Sequence, residues 1–184
     1  MKVYLVLIFL VSIQTSFCQI EEKKSWEIST SISVGSENNI GNPGFMLTSE
    51  CEYFFFKAFS VSTKVGFFHS VTSNTSSFPN TDFLSNFSAL TGGLYINHTN
   101  RFSKNYVRVS AGGAYFHSDA FYQSGSSTQV TSHIQVVSKL GYGLSLEGGR
   151  EVSDKISLGL ILQIYSYQIF GDISTIGVNT HFKL

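Results

Sequence analysis

The sequence predicts an all-β fold: an eight-stranded antiparallel up-and-down transmembrane β-barrel. Three observations predict it. Apolar and polar residues alternate with period two from Trp26 to the end of the chain, the mark of strands with two unlike faces. Charged residues are 13% of the chain, against about 25% in soluble proteins, while aromatics reach 15%. Beyond the N-terminal stretch no apolar run approaches the ~18 residues of a membrane helix, so a spanning chain of this composition must cross with strands, whose alternate residues face lipid.

The first residues stand apart. Met1-Lys2 is a short positive start, Val3–Ile13 is almost wholly apolar, and Gln14-Thr15-Ser16-Phe17-Cys18 turns small and polar. That order is a secretory signal peptide, and its apolar part is shorter than the ~20 residues a spanning helix needs. Cleavage is expected after Cys18, so residues 1–18 are signal and residues 19–184 form one barrel domain. Only Cys51 then remains, and no internal disulfide staples the fold.

The strands follow in order. In the first, Trp26, Ile28, Thr30, Ile32 and Val34 alternate with Glu27, Ser29, Ser31 and Ser33. The second runs from about Phe45 to Phe55, with Glu50 and Glu52 opposite Leu47, Cys51 and Tyr53. The third sets Phe59, Val61, Thr63, Val65 and Phe67 outward around Lys64. The fourth, less regular, carries Leu90, Gly92, Leu94 and Ile96. In the fifth, Val107, Val109, Ala111, Gly113 and Tyr115 point outward and Arg108 inward. The sixth opposes Ile134, Val136, Leu140, Tyr142, Leu144 and Leu146 to Lys139, Ser145 and Glu147. The seventh has Ile156, Leu158, Leu160, Leu162 and Ile164 against Ser157, Gln163 and Tyr165. The eighth closes with Ile176, Val178, Thr180, Phe182 and Leu184 against Asn179, His181 and Lys183.

Three connections read alike and recur about every fifty residues, the spacing of one up-and-down hairpin: Phe55–Phe59, Phe102–Tyr106 and Val152–Ile156. These are the expected periplasmic turns. Register shifts by one residue after the second, which a bulge or a longer turn would explain. Ser36–Pro43, Thr72–Asp82, Ser118–Thr131 and Gly171–Asp172 are the expected outer loops. They hold both prolines, Pro43 and Pro79, consistent with proline's missing ladder donor.

By these phases Glu27, Glu50, Glu52, Lys64, Arg108, Lys139, Glu147 and Lys183 all point inward, four acids and four bases. A midplane Lys or Arg facing lipid would cost about 2–4 kcal/mol. Aromatics gather near strand ends as membrane girdles do: Tyr53, Phe55, Phe59 and Tyr106 at one end, Phe45, Phe67 and Tyr115 at the other. The rival architecture is a secreted, soluble lipocalin-like binding barrel, with its apolar face inside.

The signal-like start, the alternating strands, the turn Val152-Ser153-Asp154-Lys155-Ile156-Ser157-Leu158 and the closing Val178-Asn179-Thr180-His181-Phe182-Lys183-Leu184 resemble the small outer-membrane β-barrel family. This is the OmpA/OmpX-like group, also described as the outer membrane protein β-barrel domain or porin family. The resemblance covers residues 19–184 and is one of pattern. It implies a Gram-negative outer-membrane location, outer-membrane lipids and the barrel assembly machinery as partners, and a C-terminal strand signal in Val178, Phe182 and Leu184. Family members often end in Phe; here Phe182 precedes a final Leu184.

No metal-binding, phosphate-loop or dinucleotide motif occurs, and no cofactor, metal site or nucleic-acid partner is expected. His69-Ser70 and His117-Ser118-Asp119 offer the residue types of a lipid acyl hydrolase. Adjacent strand residues face opposite ways, so His117 and Ser118 are expected as rim residues, and His69, His117 and His133 have nothing to bring them to one metal. The stronger feature is a lumen charge network of Glu50, Glu52, Lys64, Arg108, Lys139 and Glu147, either a polar plug or the lining of a narrow porin-like channel. Leu140, Leu144, Leu158, Leu160 and Leu162 are expected to face lipid. The whole reads as a monomeric, non-enzymatic barrel with a structural, adhesive or surface-interaction role and an unknown extracellular partner.

Overall fold

The computed structural model describes residues 25–37, 42–75, 82–126, 129–167 and 173–184. The expected signal peptide and its cleavage point, Pro79 and Gly171–Asp172 lie outside the described residues. Eight strands form: β1 (Ser25–Glu37), β2 (Asn42–Phe54), β3 (Phe59–Thr75), β4 (Asp82–Phe102), β5 (Asn105–Ser126), β6 (Gln129–Glu151), β7 (Ile156–Ser166) and β8 (Ile173–Lys183). Each pairs antiparallel with its sequence neighbours, and β1 pairs with β8 to close the barrel. At the seam the Leu184 amide donates to the Trp26 carbonyl at 2.9 Å. Following paired residues around the wall from Trp26 through Tyr53, Val61, Ile96, Ala111, Leu144, Ile164 and Ser174 returns to β1 at Ser36, a stagger of ten residues. Tilt and stagger of this kind are what closing eight strands requires.

The predicted phases appear on the two faces of this wall. Ile32, Leu94, Leu140 and Leu160 lie on the outside, 64–79% exposed to what surrounds the barrel, while Glu27, Glu50, Glu52, Lys64, Arg108 and Glu147 lie inside and are buried. A lipocalin-like barrel would have these faces exchanged. Asp119 and Arg150 add two charges to the outer phase, and both are exposed. Arg150 is one residue from the β6 terminus, and Asp119 belongs to the upper part of β5, so each stands near an end of the wall where water is within reach.

Several expectations change. The stretches expected as outer loops are largely paired strand: Val71↔Asn86 continues to Thr75↔Asp82, and Asp119↔Val136 to Ser126↔Gln129. Their runs of Ser, Thr and Asn carry no period-two alternation, so no strand signal is legible there. Pro43 sits at the start of β2, opposite Ser36 of β1 and one residue before pairing with β3 begins at Gly44, a strand-end position that tolerates proline's missing donor. The register shift has the reverse of its expected cause. Phe102 pairs with Asn105 across two residues, whereas Phe54 pairs with Ser60 and Glu151 with Ser157 across five. A turn shorter by an odd number flips the phase, and Ser103 (φ 57°) adopts the left-handed conformation such a tight turn needs. Tyr106 accordingly points inward and is buried, 5% exposed. Trp26, its ring 4.9 Å from that of Tyr53 and tilted 46° to it, with Phe56 and Phe102, forms the aromatic rim there.

Depth separates the outer leucines. Leu160 is four residues into β7, near mid-height of an apolar band about 25 Å tall. Leu140 is eleven residues up β6 from Glu151, about 28 Å in height once the strand's tilt is taken out, and so near the band's far edge. Ser145, on the lumen side, is buried at 8% exposure in a filled interior and would not accept an arginine mildly. Leu160→Arg is therefore expected to cost about 2–4 kcal/mol and Leu140→Arg about 0–1 kcal/mol, measured by denaturant unfolding from lipid vesicles. Equal costs would show that depth or phase is misassigned.

Candidate functional site: a filled lumen in two layers

Inward-facing positions place two chemically different layers inside the barrel. At the end holding both described termini the layer is ionic. Arg108, on β5 opposite Glu147 of β6, is its hub: its guanidinium pairs with Glu50, with Glu52 at 3.2 Å and with Glu147 at 3.6 Å. Lys64 adds a contact to Glu50 at 3.4 Å, and its ammonium lies 5.0 Å from the centre of the Tyr95 ring. All these charged groups are buried. Buried charges persist only when paired and hydrogen-bonded, and here the spare lone pairs are used. Glu52 Oε1 accepts from Ser60 and from Asn97 Nδ2 at 2.8 Å. Glu147 Oε1 accepts from Tyr106 at 2.5 Å, and Oε2 from Asn179 at 3.0 Å. Nearer the rim, Arg101 bridges Glu27 at 3.0 Å and Glu151 at 2.6 Å, and Lys183 meets Glu151 at 2.6 Å.

The other layer is apolar. Met46, Phe68, Phe87, Tyr95, Phe116, Tyr165, Tyr167 and Ile173 form one buried cluster inside the wall. Phe116 stacks on Tyr167 at 4.1 Å, and Phe87 lies 6.3 Å from Phe116 and 6.0 Å from Phe68. The expected lumen is polar throughout, and the outer half of the observed one is not. The sequence does carry a signal for this layer: Met46-Leu47, Phe67-Phe68 and Tyr115-Phe116 put apolar residues in both phases at once. Inward glycines make the room. A methyl group at Gly143 would lie 2.4 Å from the Tyr95 hydroxyl, and one at Gly141 2.6 Å from the Tyr167 ring.

The structure brings five of the six expected network residues together: Glu50, Glu52, Lys64, Arg108 and Glu147. Lys139 also takes the inner phase but stands opposite Phe116, eight residues along β6 from Glu147. At ~3.3 Å per residue that is beyond pairing reach, so Lys139 stands at the level of the aromatic layer and not with the ionic one. Glu27, Arg101, Tyr106, Asn179 and His181 join the network without being expected in it. Asn and Tyr look neutral in a sequence, and His181 reads there only as a polar residue of the last strand.

Leu144, Leu158 and Leu162 lie on the outer face, as do Val178, Phe182 and Leu184. The candidate histidines also face outward, and each meets a serine of the neighbouring strand. His69 Nδ1 is 2.9 Å from Ser88, and His117 Nδ1 is 2.7 Å from Ser138. Ser118 is buried inward. Asp119 is the register partner of Ser88, which puts the serine between acid and histidine, an order unlike that of a nucleophilic triad.

No protein-family model and no curated protein matches the chain. Solved structures do. OprG of Pseudomonas aeruginosa aligns with TM-score 0.58 at 6% identity, over 89% of this chain and 97% of that one. A major outer membrane protein of Thermus thermophilus gives 0.56 at 12%, over 86% and 99%. Ail, the attachment invasion locus protein of Yersinia pestis, in complex with the heparin analogue sucrose octasulfate, gives 0.54 at 14%, over 90% and 100%. At such identities the likeness is one of fold, and the fold of this chain is that of the eight-stranded outer-membrane β-barrels.

Proposed function

We propose that the chain is an integral outer-membrane protein, exported through its N-terminal signal, whose closed barrel anchors a raised outer surface used for contact. The outward apolar face supports the membrane location, and the resemblance supports insertion by the assembly machinery through Val178, Phe182 and Leu184. One observation carries the surface role: strand length is unequal. β1, β2, β7 and β8 have 11–13 residues, whereas β3 to β6 have 17, 21, 22 and 23. A tilted strand needs only ~9–11 residues to span. The surplus makes two adjoining hairpins that rise as a paired wall on one side, where a ligand or another cell surface would meet ordered backbone. Residues 71–86 and 118–138 contain no Lys or Arg, so a polyanion such as the one held by the Yersinia protein is not the expected ligand. Their Ser, Thr, Asn, Phe and Tyr suit neutral partners through hydrogen bonds and ring stacking. Removing residues 73–84 and 121–134 is expected to leave a heat-modifiable, folded barrel but to abolish adhesion to host cells or matrix. Adhesion that survives the deletion would rule out the wall as the contact surface.

Closure of the lumen opposes the channel reading. Arg108 with its carboxylates and Phe116 with Tyr167 obstruct the same path in series. The protein in planar bilayers is expected to show no steady conductance. Arg108→Ala alone should still not conduct, because the aromatic layer remains; Arg108→Ala combined with Phe116→Ala and Tyr167→Ala should. Steady conductance in the unaltered protein would favour a narrow channel instead.

A further inference from the structure

One corner of the ionic layer is built differently from the rest. Glu27 and Glu52 are direct register partners on β1 and β2, and like charges facing each other across strands repel. His181, on β8 beside Ser29 of β1, completes a triangle: one ligand atom from each of Glu27, Glu52 and His181 lies within 4.8 Å of the others, and all three residues are buried. Both carboxylates already have partners. Arg101 takes Glu27 Oε1 at 3.0 Å, leaving Oε2 towards His181 at 3.8 Å. Ser60 and Asn97 take Glu52 Oε1, and Arg108 stands 3.2 Å from Oε2.

The histidine supplies the independent observation. It is 3% exposed. Its Nε2 is 2.6 Å from Glu147 Oε1, a distance at which a carboxylate must be receiving the ring's N–H. Asn179 Nδ2 lies 3.0 Å from the same nitrogen but donates to Glu147 Oε2. The other nitrogen, Nδ1, has no hydrogen-bond partner and is the atom turned towards Glu27. An imidazole whose far N–H is fixed by a carboxylate, with its near lone pair presented to two carboxylates, is the arrangement metal-binding histidines adopt. A cavity of about 10 Å³ opens there, lined by Glu27, Glu52 and His181 together with Arg101 and Arg108, room for one water-sized occupant. In formal charge Glu27, Glu50, Glu52 and Glu147 exceed Lys64, Arg101 and Arg108 by one when His181 is neutral.

We propose that Glu27, Glu52 and His181 form a site for a divalent transition metal, Zn²⁺ being the first candidate, at the seam where β8, β1 and β2 close the barrel. One nitrogen and two carboxylate oxygens suit Zn²⁺, which takes such ligands at about 2.0–2.2 Å and completes four-coordination with water. Ligands at that distance stand about 3.4 Å apart, so the triangle has to contract by roughly an ångström. Glu147 is the positioning residue that keeps the Nδ1 lone pair available. The metal would bind three strands that are first, second and last in the chain, clamping the seam. The site is independent of what the outer wall contacts.

The test uses the mature chain folded in detergent micelles, stripped with a chelator and titrated with Zn²⁺ by calorimetry, then with Co²⁺ by visible absorption. One Zn²⁺ per barrel is expected, with Co²⁺ bands of a low-coordinate nitrogen–oxygen site. Glu52→Gln and Glu27→Gln should each abolish binding while the heat-modifiable band persists. Glu147→Gln should weaken it about 10–100-fold, and a His69→Ala, His117→Ala variant should bind as the parent does. Should Glu52→Gln fail to fold, Glu27→Gln, nearer the mouth, reads the same site. Absence of Zn²⁺ binding in the parent would overturn the proposal. So would binding that survives Glu27→Gln and disappears in the surface-histidine variant.

Discussion

In hydrocarbon a backbone amide or carbonyl without a partner costs several kcal/mol, and the rest of this structure follows from that constraint. A sheet in lipid must close, and β1 closes on β8 along eleven paired positions from Glu27↔Lys183 to Glu37↔Ile173. With eight strands the interior is only wide enough for side chains. Whatever the sequence places on the inner phase must then pack against itself, because neither lipid nor bulk water reaches it. The outer face has one requirement, to be apolar. The inner face has to solve a packing and a charge problem together.

The inner face solves them in separate layers. Ionic groups collect around Arg108, where Tyr106, Asn97, Asn179 and the serines of neighbouring strands supply donors. Breaking such a buried set by removing one member costs about 3–5 kcal/mol, although the intact set contributes far less than its Coulomb attraction suggests. Its value lies in register: Arg108 reaches Glu50 and Glu52 of β2 from β5, and His181 of β8 reaches Glu147 of β6. These contacts cross the lumen and are lost if a strand slips. The aromatic layer fills the outer half by shape, with large rings set over inward glycines.

The parts legible in sequence are those governed by lipid. A period-two apolar stripe has one physical cause and few imitators, so the strands, their faces and the inward charges can be read from Ile28 to Phe182. The illegible parts lack that single cause. Ser118–Thr131 is largely strand because a partner strand continues beside it, which composition does not record. Tyr106 turns inward because Ser103 and Lys104 make a turn shorter than its two counterparts. Lys139 shares the phase of Glu147 but not its depth, and depth is a matter of register. His181 and the Glu27–Glu52 pair are 129 to 154 residues apart in sequence and meet only because the barrel closes.

All of this rests on the apolar face meeting lipid, and the protein carries one natural reporter of it. Trp26 is its single tryptophan and lies on the outer face, 51% exposed. The barrel should be folded into phosphatidylcholine vesicles, with bromine on the upper acyl carbons in one preparation, and its fluorescence compared with and without aqueous iodide. Strong quenching by the brominated lipid and little by iodide is the predicted result. Strong quenching by iodide, with none by bromine, would contradict a lipid-facing wall.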